Sequence, residues 1–109
     1  MRHGDFVTVP GRGGYETKPR PAVIIQSDEF EDTDSVTVCL LTHIETDTPL
    51  LRLRIDPTEQ NRLKLVSWIM VDKIVTYRRS NIGKVFGRIS DADQLKLNRS
   101  LLVFLGIAG

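Results

Sequence analysis

The chain has 109 residues, with 15 Lys plus Arg against 14 Asp plus Glu and a formal net charge of +1. That length suits one domain, 1–109, with a core small enough that a partner subunit would add stability. The charge balance excludes a strongly basic nucleic-acid scavenger but not a local basic site. One cysteine, Cys39, excludes an internal disulfide framework and a cysteine-rich zinc site.

The opening "MRHGDFVTV" has no signal-peptide apolar core, and no run approaches the roughly 18 apolar residues of a membrane helix. A soluble cytoplasmic protein with no membrane partner is expected. "DFVTV" (5–9) alternates and ends at Pro10. The glycine- and proline-rich "PGRGGYETKPRP" follows as a loop. In it Lys18 and Arg20 each precede a proline, which holds both residues extended. "AVIIQS" (22–27) reads as a buried strand and "DEFEDTD" (28–34) as an acidic, solvated turn. "SVTVCLLT" (35–42) is β-branched strand, with Cys39 a packing residue.

"LLRLRI" (50–55) alternates strictly, placing Leu51, Leu53 and Ile55 on one face and Arg52 and Arg54 on the other. "DPTEQN" (56–61) is a turn. "LKLVSWIMVDKIVTYRR" (63–79) holds one or two strands interrupted at Asp72-Lys73, a β-turn or bulge pair. "SNIG" (80–83) turns the chain into "KVFGRI" (84–89).

The period then changes. Ser90 and Asp93 form a capping-box-like helix start. Leu95, Leu97, Leu101, Leu102, Phe104 and Leu105 cover about half the helix circumference, with Lys96, Arg99 and Ser100 opposite, and Gly106 is the stop. Strands at short intervals closed by one amphipathic helix predict a mainly β, α+β fold: a small SH3-like barrel or strongly bent sheet with the helix packed on it.

No P-loop, G-x-S-x-G, H-E-x-x-H or CxxC is present. The two histidines do not form an evident pair: His3 lies at a terminus expected to fray, and His43 follows Thr42 at a strand end. No metal site or cofactor is expected. What remains is three polar groups at strand ends, Arg20, Thr42 and Asp72. Singly, each also reads as an ordinary strand end or turn.

Several segments together resemble the MazF/PemK (Kid-like) family of toxin–antitoxin toxins. They are "GDFVTV", the glycine-bearing loop, "RPAVIIQSD", "VTVCLLT", "IMVDKIVTYRR", "VFGRISDADQLKLN" and the final "VFLGIAG". The resemblance runs from Gly4 to the C-terminus. It implies a PemK-type barrel, a homodimer, a cognate antitoxin that covers the RNA groove, and metal-independent, sequence-specific cleavage of single-stranded RNA. Residue by residue, it puts the family's Arg-Pro arginine on Arg20, its strand-ending threonine on Thr42 and an aspartate used by some members on Asp72. This chain departs from the pattern at Met70, where some members carry arginine, and at His43, often a small hydroxyl residue.

RNA brings its own nucleophile, the 2′-hydroxyl beside the scissile phosphate. The protein must align it, neutralise charge and move two protons, leaving a 2′,3′-cyclic phosphate. Arg20 suits the charge, because its planar fork matches two phosphate oxygens. Thr42 would hold a phosphate oxygen or the 2′-hydroxyl. Asp72 and His43 are alternative bases. Lys18, His43, Arg52, Arg54, Lys73 and Arg78, with Arg79, are expected to line an RNA backbone groove, and Tyr15 or Tyr77 to stack a base. Two other classes compete: a CcdB-like toxin that binds and poisons DNA gyrase, and a plain SH3-like binding module.

Overall fold

The computed structural model describes residues 1–11 and 18–109; Tyr15 lies outside them. Six strands form one antiparallel sheet: β1 (Asp5–Val9), β2 (Arg20–Ile24), β3 (Ser35–Thr42), β4 (Arg52–Ile55), β5 (Ser67–Arg78) and β6 (Val85–Arg88). Their order across the sheet is β4-β5-β3-β2-β1-β6. Helix α1 (Asp91–Phe104) closes the chain. The sheet curls into a half-barrel, and the expected β architecture with a terminal helix is what forms.

Alternation sorts the strand residues onto two faces. Phe6, Val23, Cys39, Leu41, Ile69 and Val71 build the core that α1 covers through Leu97. Val7, Val9, Ala22, Ile24, Val36 and Val38 form a second apolar cluster on the reverse face. This double burial explains why β2 and β3 read as continuous apolar runs rather than alternating ones. Cys39 is fully buried. Burial, and next the nearby charge of Asp72, push its thiol up to about 12.

Two expectations change and one open alternative is resolved. The strand in "LLRLRI" begins at Arg52, and Leu50 and Leu51 belong to the preceding turn. The segment 63–79 yields one long strand, β5, whose ladder to β3 is irregular: five residue steps from Ile69 to Ile74 answer to two from Leu41 to Cys39. The N-terminus is tied rather than frayed. The His3 N–H donates to Asp28 Oδ1 at 2.7 Å and Arg2 pairs with Asp28 Oδ2 at 3.2 Å.

The helix begins as its sequence indicates, with Ser90 Oγ accepting the Asp93 N–H at 3.1 Å. It ends where Gly106 adopts φ +73° and donates to the Val103 carbonyl at 3.1 Å. Its apolar half, however, is not all covered by the sheet. Leu97 is buried and Leu101 packs on the core, while Leu95, Leu102, Val103, Phe104 and Leu105 stay exposed. The helix lies chiefly against β4 and β5, so one narrow stripe suffices to dock it.

The loop after β4 is held by Asn61, 4% exposed. Its side chain accepts from the Thr58 and Leu63 N–H groups at 2.9 and 3.0 Å and donates to the Asp56 carbonyl at 2.9 Å. The Asn61 backbone in turn presses on β6 at Gly87, where an added Cβ would sit 2.1 Å from the Asn61 carbonyl oxygen. Gly87→Ala is therefore expected to cost about 1–3 kcal/mol or more of stability by forcing the loop off the sheet, measurable by urea unfolding.

The His3 N–H, and after it the Arg2 guanidinium, hold the Asp28 carboxyl below its ordinary 3.8. Its contribution is present above that value and is lost as pH falls through the lowered one. In acid melts, wild type should outlast Asp28→Asn near neutrality and converge with it at the acid end.

Candidate functional site

The site follows from the prolines around Arg20. The β2–β3 ladder pairs Ile24 with Val38, Val23 with Cys39 and Ala22 with Leu40, then stops. Pro21 has no N–H to donate, so it cannot extend the ladder to β3. Continued by two residues, the same register sets Arg20 opposite Thr42. Beyond the last pair the two strands border a cleft of about 230 Å³ lined by Pro10, Arg20, Leu40, Leu41, Thr42, Met70, Lys73 and Tyr77. That volume exceeds what a single water or ion needs.

Arg20 remains anchored on its other side, where it pairs with Val9 of β1. It is exposed, and none of the salt bridges among the described residues involves it. Thr42 Oγ1 accepts the Ile44 N–H at 3.1 Å, which fixes the hydroxyl oxygen and leaves its proton for an incoming acceptor. A permanently charged fork and an oriented hydroxyl thus face one cleft.

The irregularity in β5 supplies the cleft's third wall. Before it Ser67, Ile69 and Val71 point to the core; after it Ile74 does. An odd number of extra residues changes which face each position takes. Met70, Lys73 and Tyr77 can therefore line the same cleft, which a regular strand would forbid. The Asp72-Lys73 interruption seen in the sequence marks this place.

Asp72 is not among the lining residues. Its Oδ1 accepts from Arg52 Nη1, and its Oδ2 lies 3.8 Å from Lys73 Nζ. Arg52 and Asp72 are largely shielded, at 14% and 21% side-chain exposure. Arg52 Nε is buried without a hydrogen-bond partner among the described residues.

The other expected RNA-contacting residues divide. Lys18 and His43 are exposed near the cleft's strand ends and do not line it. Arg52 and Arg54 border a neighbouring groove with Trp68. Arg78 and Arg79 lie with Asp34 at the opposite end of β3, since Arg78 pairs with Ser35. At strand rise that is about 20 Å from Thr42, so these two are not brought to the site. Tyr77, in contrast, is a lining residue. Sequence reading missed Leu40 and Trp68 as neighbours of the site and named Met70 only as a departure from the family pattern; cross-strand register is the signal that finds them.

A family model described as PemK-like, MazF-like toxin of type II toxin–antitoxin system matches residues 2–105. The chain belongs to this family. It is 50% identical, over 109 residues and the full length of both chains, to the protein of Mycolicibacterium smegmatis named probable endoribonuclease MazF. Among solved structures, a mycobacterial endoribonuclease in complex with its cognate antitoxin superposes with a TM-score of 0.80 at 19% identity, covering 100% of this chain and 98% of that one. The MazE–MazF complex of Deinococcus radiodurans (Form II) gives 0.80 at 15% identity, covering 99% and 97%. These structural likenesses establish the shared fold. The match to the toxin family sets the gyrase-poison and plain binding-module readings aside.

The Arg52–Asp72 contact joins β4 to β5 next to the cleft. Replacing Arg52 by Ala strands a shielded carboxylate and is expected to destabilise the protein by about 1–3 kcal/mol in chemical unfolding. The double replacement Arg52→Ala with Asp72→Ala should recover part of that loss.

Proposed function

We propose that this toxin is a metal-independent, sequence-specific endoribonuclease that cuts single-stranded RNA at the Arg20–Thr42 cleft. The observation that carries the reading is the meeting of those two side chains at one solvent-open gap between β2 and β3. The 50% identical relative named as an endoribonuclease supports it.

In the proposed reaction the 2′-oxygen forms a bond to phosphorus and the bond from phosphorus to the 5′-oxygen breaks. The products are a 2′,3′-cyclic phosphate and a 5′-hydroxyl. One proton leaves the 2′-hydroxyl and one reaches the departing 5′-oxygen. Arg20 takes two non-bridging oxygens in its fork and stabilises the charge that grows on them. Thr42 donates its hydroxyl proton to a phosphate oxygen and holds the phosphate in line.

Lys73, on the same cleft, adds a second cation, and Asp72 keeps Lys73 and Arg52 beside it. We place Asp72 at the site as a positioning residue that acts through this contact. His43, next to Thr42, is the proton acceptor. The RNA backbone follows Lys18, Arg20, Lys73, Arg52 and Arg54, and Tyr77 offers a ring at the cleft wall.

The 109 residues act as one toxin domain, in the cytoplasm. Among the described residues no helix is long and apolar enough to cross a membrane. A second copy of the chain covers the end of α1, where Leu102, Val103, Phe104 and Leu105 are exposed. A cognate antitoxin occludes the cleft; one structurally similar endoribonuclease is itself in complex with its cognate antitoxin.

Incubation with a long single-stranded RNA in excess EDTA tests the activity. Fragments ending in 2′,3′-cyclic phosphate are expected from wild type. Arg20→Ala should lower kcat by about 100-fold or more, the scale seen when one transition-state donor is lost. Intact RNA with wild type would refute the reading. With about four phosphates bound, log K against log salt should fall with a slope of roughly −3.

A further inference from the structure

Thr42 of β3 pairs directly with Trp68 of β5, and Trp68 pairs directly with Arg54 of β4. Directly opposed residues of an antiparallel ladder project from the same face, with Cβ atoms about 4.5–5.5 Å apart. The strand-end hydroxyl at the cleft, an indole and a guanidinium therefore stand in one row across three strands. Arg20 faces the start of that row from across the cleft.

Trp68 is the only tryptophan in the chain. It is half-buried and belongs to neither apolar cluster, because the core-facing positions around it are Ser67 and Ile69. It lines the groove beyond Thr42 together with Arg52, Arg54, Glu45 and Asp47. The two arginines offer cations for the RNA backbone there, while the ring offers a π-face to any base. A strand whose phosphate is held at Arg20 and Thr42 thus meets an aromatic surface one strand further on.

We propose that Trp68 is the platform on which the nucleobase flanking the cut phosphate stacks, a specificity-determining contact of the RNA site. This rests on the ribonuclease reading above. Stacking on one ring supplies binding rather than chemistry, so its loss falls mainly on KM.

The single indole is its own reporter. A mixed-sequence, 2′-O-methyl RNA decamer lacks the nucleophile and should quench Trp68 fluorescence saturably. On a cleavable single-stranded RNA, Trp68→Ala should raise KM about 5- to 100-fold with kcat changed far less. Trp68→Phe should restore most of the affinity, and its thermal melt checks that the fold is kept.

If wild type cuts RNA but the decamer leaves the emission unchanged, or Trp68→Ala keeps the wild-type KM, the platform is overturned while the nuclease stands. If wild type leaves RNA intact yet the decamer quenches and Trp68→Ala abolishes its binding, the nuclease reading fails and the stacking surface stands. Neither cleavage nor quenching would overturn both.

Discussion

A missing hydrogen-bond donor shapes the working end of this molecule. Pro21 sits in an interior strand, between β1 and β3, where a proline is costly unless its ring nitrogen faces a place with no partner. Here the β2–β3 ladder simply ends before it. The gap becomes the cleft, and Arg20, still paired to β1, is carried to its rim. The two prolines flanking Arg20 limit its backbone, so less freedom is lost when the guanidinium takes hold of an anion. The same chemistry that breaks the sheet therefore prepares the ligand site.

The second constraint is parity. A strand presents alternate residues to alternate faces, and β5 would ordinarily give the cleft only every second side chain. The irregular stretch between Ile69 and Ile74 changes that assignment within one strand. Met70, Lys73 and Tyr77 share the cleft as a result. Asp72 is drawn into an ion pair with Arg52 instead. A carboxylate held by a largely shielded guanidinium is a better positioner of neighbouring cations than a free base. This shifts the weight of the proposed chemistry onto Arg20 and Thr42.

The helix illustrates a different balance. Its amphipathic sequence exceeds what the sheet can cover, because α1 lies chiefly against β4 and β5. Leu97 and Leu101 fill the contact, and the residues toward Gly106 extend past it. Periodicity measures how much apolar surface a helix carries; it does not say which neighbour buries it. The same gap explains Leu50, which alternation placed in a strand and the fold leaves in an exposed turn.

Local chemistry was legible in the chain alone: β3 from Ser35 to Thr42, the Ser90 cap, the Gly106 stop, the extended Arg20 and the interruption at Asp72-Lys73. Each depends on neighbours within a few residues, whose steric and hydrogen-bonding preferences act before any tertiary contact forms. The composite of short motifs also carried the family resemblance. Only the folded sheet decided which of the arginines belong together, since Arg78 and Arg20 differ by register and not by residue type. It also decided that Trp68 stands beside Thr42, 26 positions earlier in the chain. Cross-strand register is set by long-range pairing, by where a proline ends a ladder and by where extra residues change a strand's face, and none of these is written in a single local stretch.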